Sequence, residues 1–189
     1  NSATISQTNA AGSQTIVVNG GNVALLGGTG NATNNATIAS SGTSQSITVN
    51  NASSVSVAAR TGSASITSSH DQTLLIDGAS SNNDLIVGNA AAANSSSITG
   101  NNQNITAGTL GHAGSSTILG GTGVGMPSQI RNFAGNQTVS TTHTLTITGG
   151  TAPGIPAGCG TLTTGSCASV ATSARLASGT YLRRLADFS

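Results

Sequence analysis

The chain has 189 residues, enough for one domain with a real core, yet it carries only five Arg and four Asp, with no Lys and no Glu. A net charge of +1 without a basic run, together with two Phe, one Tyr and no Trp, offers neither phosphate attraction nor a base-stacking set, so nucleic acid is not an expected partner. No window approaches about 18 uninterrupted apolar residues, so no membrane span is expected.

Ser, Thr, Asn, Gly and Ala dominate, a composition that reads as a linker except that Ile, Val and Leu recur at regular places. The sequence opens at Asn1 without an initiator Met or a charged-then-apolar leader, which fits a mature chain after signal removal or an arbitrary boundary.

Residues 1 to 12 hold Ala3-Thr4-Ile5-Ser6, a β-prone piece resembling the third strand of the units that follow, and are expected to form an incomplete first turn. From Gln14 each unit reads as three strands. The first unit has Gln14 to Val18, Asn22 to Leu26 and Ala36 to Ala39, punctuated by Gly20-Gly21 and Gly27-Gly28-Thr29-Gly30 as corners that demand positive φ. The second has Gln45 to Val49, Ser54 to Ala58 and Ala64 to Thr67, and the third has Gln72 to Ile76, Asp84 to Val87 and Ser96 to Thr99. In the fourth, Gln103 to Ala107 precedes a glycine-rich excursion containing His112, then Thr117-Ile118-Leu119 and Gln129-Ile130-Arg131. A partial fifth unit supplies Gln137 to Thr141 and Thr144 to Thr148.

The leading glutamines, Gln14, Gln45, Gln72, Gln103 and Gln137, are separated by 31, 27, 31 and 34 residues, an interval typical of stacked structural units. Ile5, Ile38, Ile66, Ile98 and Ile130 track them at intervals of 33, 28, 32 and 32. Leu25-Leu26-Gly27-Gly28-Thr29-Gly30 also returns as Ile118-Leu119-Gly120-Gly121-Thr122-Gly123, displaced by 93. The fold class is therefore all-β: a three-sided parallel β-solenoid of about five rungs over residues 1–150, followed by an irregular extension over 151–189.

Alternate side chains of a strand face opposite ways, so Gln14, Ile16 and Val18 share one face, and the glutamine lies on the aliphatic, inward side. A buried amide without a partner costs about 1–3 kcal/mol. Stacking at a rung spacing of about 4.8 Å removes that cost, because each amide N–H donates to the amide carbonyl of the adjacent rung. The competing reading sets the glutamines at exposed corners. A narrow triangular bore filled by Ile, Val and Leu also accounts for the missing aromatics. Such a rod is expected to have two open ends with unpaired backbone groups, which invite another copy.

Residues 149 to 168 leave the rhythm with Gly149-Gly150, Pro153, Pro156, Cys159 and Cys167. A disulfide between the two cysteines is the favoured reading, since it would pin a flexible loop in an oxidising compartment; two cysteines without a nearby His do not complete a zinc site. The tail from Ala171 carries Arg175, Arg183, Arg184, Tyr181 and Phe188, and Leu182, Leu185 and Phe188 have helical spacing. It reads either as a cap over the last rung or as a contact, through Tyr181, Arg183, Arg184 and Phe188, to a neighbouring subunit or a cell-surface partner.

His70, His112 and His143 lie among Ser, Thr and Gly and read as solvated corner residues. Asp71, Asp77 and Asp84 form the carboxylate cluster that an acid–base enzyme would need, but turn chemistry explains them more simply: Asp77 shares the inward parity or starts a turn, and Asp71 precedes a glutamine at a corner. Ala32 breaks the Asp pattern that a calcium nonapeptide requires. Asn-x-Ser/Thr triplets at Asn31, Asn35, Asn51, Asn94, Asn104 and Asn136 are about as many as this composition yields by chance. Neither a cofactor nor a metal nor catalysis is expected.

The Gln/Asn-led, Ser/Thr/Gly-rich rungs from Gln14 to Thr148 resemble bacterial surface β-solenoids and functional amyloids, the curli-type subunits and filamentous-haemagglutinin-like adhesins. The resemblance implies export to an extracellular matrix or appendage. The expected function is a structural subunit of an extracellular filament or biofilm-matrix fibre, a homopolymer that stacks head to tail. The alternative is a monomeric adhesin or a carbohydrate- or ice-binding face, with a cell surface or polysaccharide as partner.

Overall fold

The computed structural model describes residues 2–51, 54–78, 83–92, 94–109, 112–121, 128–148 and 175–176. Its strands in chain order are β1 (Ala3–Gln7), β2 (Ser13–Asn19), β3 (Val23–Leu26), β4 (Ala36–Ser40), β5 (Ser44–Asn50), β6 (Ser54–Ala58), β7 (Ala64–Ser68) and β8 (Asp71–Asp77). There follow β9 (Asp84–Gly88), β10 (Ser96–Gly100), β11 (Gln103–Ala107), β12 (Ser116–Leu119), β13 (Ser128–Asn132), β14 (Gln137–Thr141), β15 (Leu145–Thr148) and β16 (Arg175–Leu176). Every third strand joins the same sheet. Sheet A runs β1-β4-β7-β10-β13-β16, sheet B runs β2-β5-β8-β11-β14, and sheet C runs β3-β6-β9-β12-β15. All these pairings are parallel, so the chain is a three-sided parallel β-solenoid.

The repeated sequence words fix the register. Gln14, Gln45, Gln72, Gln103 and Gln137 are direct cross-strand partners, as are Ile5, Ile38, Ile66, Ile98 and Ile130. Leu25 stands in one row with Val57, Val87 and Ile118, which is why its hexapeptide returns three units later. A shift by one residue would turn every row inside out, and the alternation of buried and outward residues in β4, β5 and β7 shows how fully that register is used. Ile38, Ile47, Ile66, Leu74, Val87, Ile98, Ile105, Ile118 and Ile130 line the bore, each no more than 2% exposed. Each contributes about 1.5–3 kcal/mol by leaving water, and one continuous aliphatic column holds the coils together.

Corners differ in how they use glycine. Gly20 and Asn51 follow the paired residues Asn19 and Asn50, and both adopt the left-handed backbone, with φ of 87° and 53°; Asn is among the few residues with a side chain that tolerate it. Within Gly27-Gly28-Thr29-Gly30, expected to turn through positive φ, only Gly30 does so. Gly27 serves close approach instead: a Cβ there would collide with the Gly62 carbonyl of the next coil.

The expected boundary at residue 150, the Cys159–Cys167 disulfide and the contact residues Tyr181, Arg183, Arg184 and Phe188 lie outside the described residues. Within the expected extension, β16 rejoins the coil and pairs with β13, placing Leu176 in register with Ile130.

Candidate functional site

The glutamines form a continuous amide ladder inside sheet B. Gln45 Nε2 donates to Gln14 Oε1 at 2.8 Å, Gln72 Nε2 to Gln45 Oε1 at 2.7 Å, Gln103 Nε2 to Gln72 Oε1 at 2.7 Å, and Gln137 Nε2 to Gln103 Oε1 at 2.5 Å. The direction of the ladder is fixed by the backbone. Gln45 Nε2 also donates to the Thr67 carbonyl and Gln72 Nε2 to the Thr99 carbonyl, and a carbonyl only accepts, so the atom facing it must be the nitrogen. Gln14 Nε2 likewise donates to the Ala39 carbonyl. Gln14, Gln45, Gln72 and Gln103 are buried and Gln137 is half-buried; the amides are held by the partners the stacking provides, and the exposed-corner reading is set aside.

The two ends of this ladder differ. Strands β1, β2 and β3 are edge strands, and Ile5, on the row whose other members are at most 2% exposed, is 54% exposed. Along β1 every residue from Ala3 to Ser6 is exposed, on both faces. No Asp, Glu, Lys, Arg or His occurs in residues 1–59. At the other end Val139 and Ile147 are only 4% and 6% exposed although β14 and β15 are also edge strands. Both ends thus present edge strands, as expected, but the inward side chains are open to water only at the N-terminal end. Gln137 Oε1, the last acceptor of the ladder, is buried with no hydrogen-bond partner among the described residues.

The carboxylates of the third coil tie it to the fourth. Asp71 Oδ1 accepts from Asn102 Nδ2 at 2.8 Å, Asp84 Oδ1 from the Ser115 backbone N–H at 2.9 Å, and Asp77 Oδ1 from Thr109 Oγ1 at 2.6 Å. Of the two readings of Asp77, inward parity or the start of a turn, the first fails: Gln72, Leu74 and Ile76 face the bore, and Asp77, the last residue of β8, lies on the opposite, outward face. His112 also departs from expectation, because it is not simply solvated; its Nδ1 lies 3.0 Å from Asp77 Oδ1. The Thr109 hydroxyl first, and then the His112 ring, hold the Asp77 carboxyl below its ordinary value of 3.8. Thr109 and His112 face each other across a tight two-way backbone bridge, which brings the histidine back over the strand end. His70 and His143 are exposed.

Asp71 and Asp77 begin and end one strand, about 20 Å apart at about 3.3 Å per residue, beyond the roughly 9.5 Å limit of a paired glycosidase acid and base. Among the described residues no three His, Cys, Asp or Glu cluster as metal ligands, and no helix is long and apolar enough to cross a membrane. The outward face of sheet B stacks Thr15, Ser46, Thr73, Asn104 and Thr138 in one row; its companion row is Val17, Thr48, Leu75, Thr106 and Ser140. Searches of protein-family models, curated proteins and solved structures find no match to this chain.

Proposed function

We propose that this chain is a secreted, non-enzymatic structural subunit of an extracellular filament, in the manner of the bacterial surface β-solenoids and fibre-forming functional amyloids that its rungs resemble. The observation that carries the reading is the N-terminal face. It offers three edge strands and a 54% exposed Ile5 with no charged residue in the first 59 positions. Natural proteins normally blunt such edges with charge, Pro or a bulge, and near-absence of charge removes the repulsion that would keep copies apart. Stacking copies head to tail extends the same column and the same backbone pairing. Electron microscopy of the purified chain tests this: unbranched fibres of solenoid width are expected, and a monomer that persists at high concentration overturns it.

A second reading, a monomeric adhesin or carbohydrate-binding face, draws on the polar row Thr15, Ser46, Thr73, Asn104 and Thr138. Val17 and Leu75 interrupt its companion row, which weakens the case for a matched two-row surface such as ice binding needs.

A further inference from the structure

The coil does not close evenly at its two ends. Followed along the chain, the strands run A, then B, C, A four times over, then B and C in β14 and β15. The chain thus leads with an extra sheet A strand and trails with a coil whose sheet A position, among the described residues, holds the two-residue β16. We propose that β1 of a second copy of this chain takes the β16 position against β13, so that β14 and β15 of one subunit and β1 of the next make one complete coil. This inference rests on the filament reading and specifies its junction.

Register, exposure and hydrogen bonding agree on that junction. Within the chain Ile130 pairs with Leu176; Ile5 belongs to the same row as Ile130, so an incoming β1 sets Ile5 over Ile130 and buries it. The five residues Ala3–Gln7 would pair along the full length of Ser128–Asn132, where among the described residues β16 pairs with Gln129 and Ile130. Once β1 is seated, the following β2 falls on β14 and Gln14 faces Gln137. Gln137 Oε1 is the buried acceptor without a partner among the described residues, and each rung of the ladder donates Nε2 toward the preceding Oε1. Gln14 Nε2 spends one hydrogen on the Ala39 carbonyl, and its other hydrogen is the donor that Gln137 lacks. Contact between two N-terminal faces would set amide nitrogen against amide nitrogen and leave that acceptor unsatisfied, so the ladder selects the head-to-tail partner.

The same geometry makes β16 a placeholder. β16 occupies the sheet A place against β13 in the single chain, so an incoming β1 must displace it, and assembly should show a lag.

Disulfide trapping tests the junction. Thr4 and Gln129 share one outward row of sheet A, four rungs apart within a chain, or about 19 Å at about 4.8 Å per rung, too far for a bridge that needs Cα atoms within about 7 Å. In a Cys159→Ser/Cys167→Ser background, fibres grown from a mixture of Thr4→Cys chains and Gln129→Cys chains should oxidise to mixed dimers. Fibres that yield no mixed dimer, or that yield Thr4→Cys self-dimers instead, overturn the junction and leave the filament reading standing; absence of fibres overturns both. Leu176→Pro tests the placeholder, since it removes a backbone donor from β16 without touching β1. The lag should shorten about tenfold, equivalent to roughly 1.4 kcal/mol, and an unchanged lag removes β16 from that role.

Discussion

The first and last coils carry the same inward rows in opposite states. Ile16 and Leu25 of the first coil are only partly buried and Ile5 before them is 54% exposed, whereas Val139 and Ile147, on the rows of Ile16 and Leu25, are nearly as buried as the central rungs. In a solenoid each coil contacts only its neighbours, so the fate of an inward residue depends on what lies above and below it rather than on its own identity. Chemically equivalent residues thus report on the ends: the C-terminal face is protected in the single chain, and the N-terminal face offers apolar surface and edge backbone together. An isoleucine at one end is a core residue; at the other it is a contact waiting for a partner.

Lysine substitution breaks this comparison most forcefully. Val139→Lys places an ammonium in the shielded rung and should cost about 3 kcal/mol or more of stability, measured as a fall in the denaturant midpoint. Ile5→Lys alters a side chain already open to water and should change the stability by no more than about 0.5 kcal/mol while abolishing fibre growth. Equal losses from the two variants would mean that the ends are equivalent in solution.

The amide ladder sharpens the comparison at smaller cost. Gln72→Leu leaves Gln45 Oε1 without its donor and Gln103 Nε2 without its acceptor, two buried amides at about 1–3 kcal/mol each. Gln14→Leu strands one hydrogen of Gln45, which keeps its bond to the Thr67 carbonyl, and removes the bond to the Ala39 carbonyl at the open end, so the loss should be about half as large. Chemical unfolding of the two variants should therefore rank the middle of the ladder above its N-terminal end. The opposite ranking would show that the amides do not act through the stack.

The strands, their register and the amide ladder were legible in the sequence because a repeat states each of them several times. Gln14 alone says little, whereas five glutamines tracked by Ile5, Ile38, Ile66, Ile98 and Ile130 determine which face is inward. What occurs once was not legible. His112 sits in an excursion without counterpart in the other units and meets Asp77 across 35 residues, a contact that no local spacing encodes. The orientation of Asp77 could have been found: it stands in register with Asn50, one step beyond the inward residue Ile76. The unequal ends also left a signal, since Ala3-Thr4-Ile5-Ser6 already read as a third strand without the two that should precede it. The shielding of the last rung had no comparable trace.

The smallest expected effect lies midway between the ends, at the Asp77 corner. The Thr109 hydroxyl and the His112 ring favour the charged carboxylate, so folded Asp77 holds its proton less tightly than the ordinary value of 3.8. The stabilisation this supplies is fully present above the unfolded carboxylate value and is lost as pH falls through the lower folded one. With the His112 and Asp77 side chains 40% and 34% exposed, solvent screening keeps it below about 1 kcal/mol. Unfolding of the parent chain and of Asp77→Asn, compared from about pH 6 to about pH 3, should give a stability difference that shrinks on acidification. Because this corner joins the third coil to the fourth and touches neither terminal rung, Asp77→Asn should leave the pH dependence of fibre growth unchanged. A parallel loss of growth would mean that the middle of the rod and its N-terminal face are energetically coupled, contrary to the nearest-neighbour behaviour on which the contrast between the ends depends.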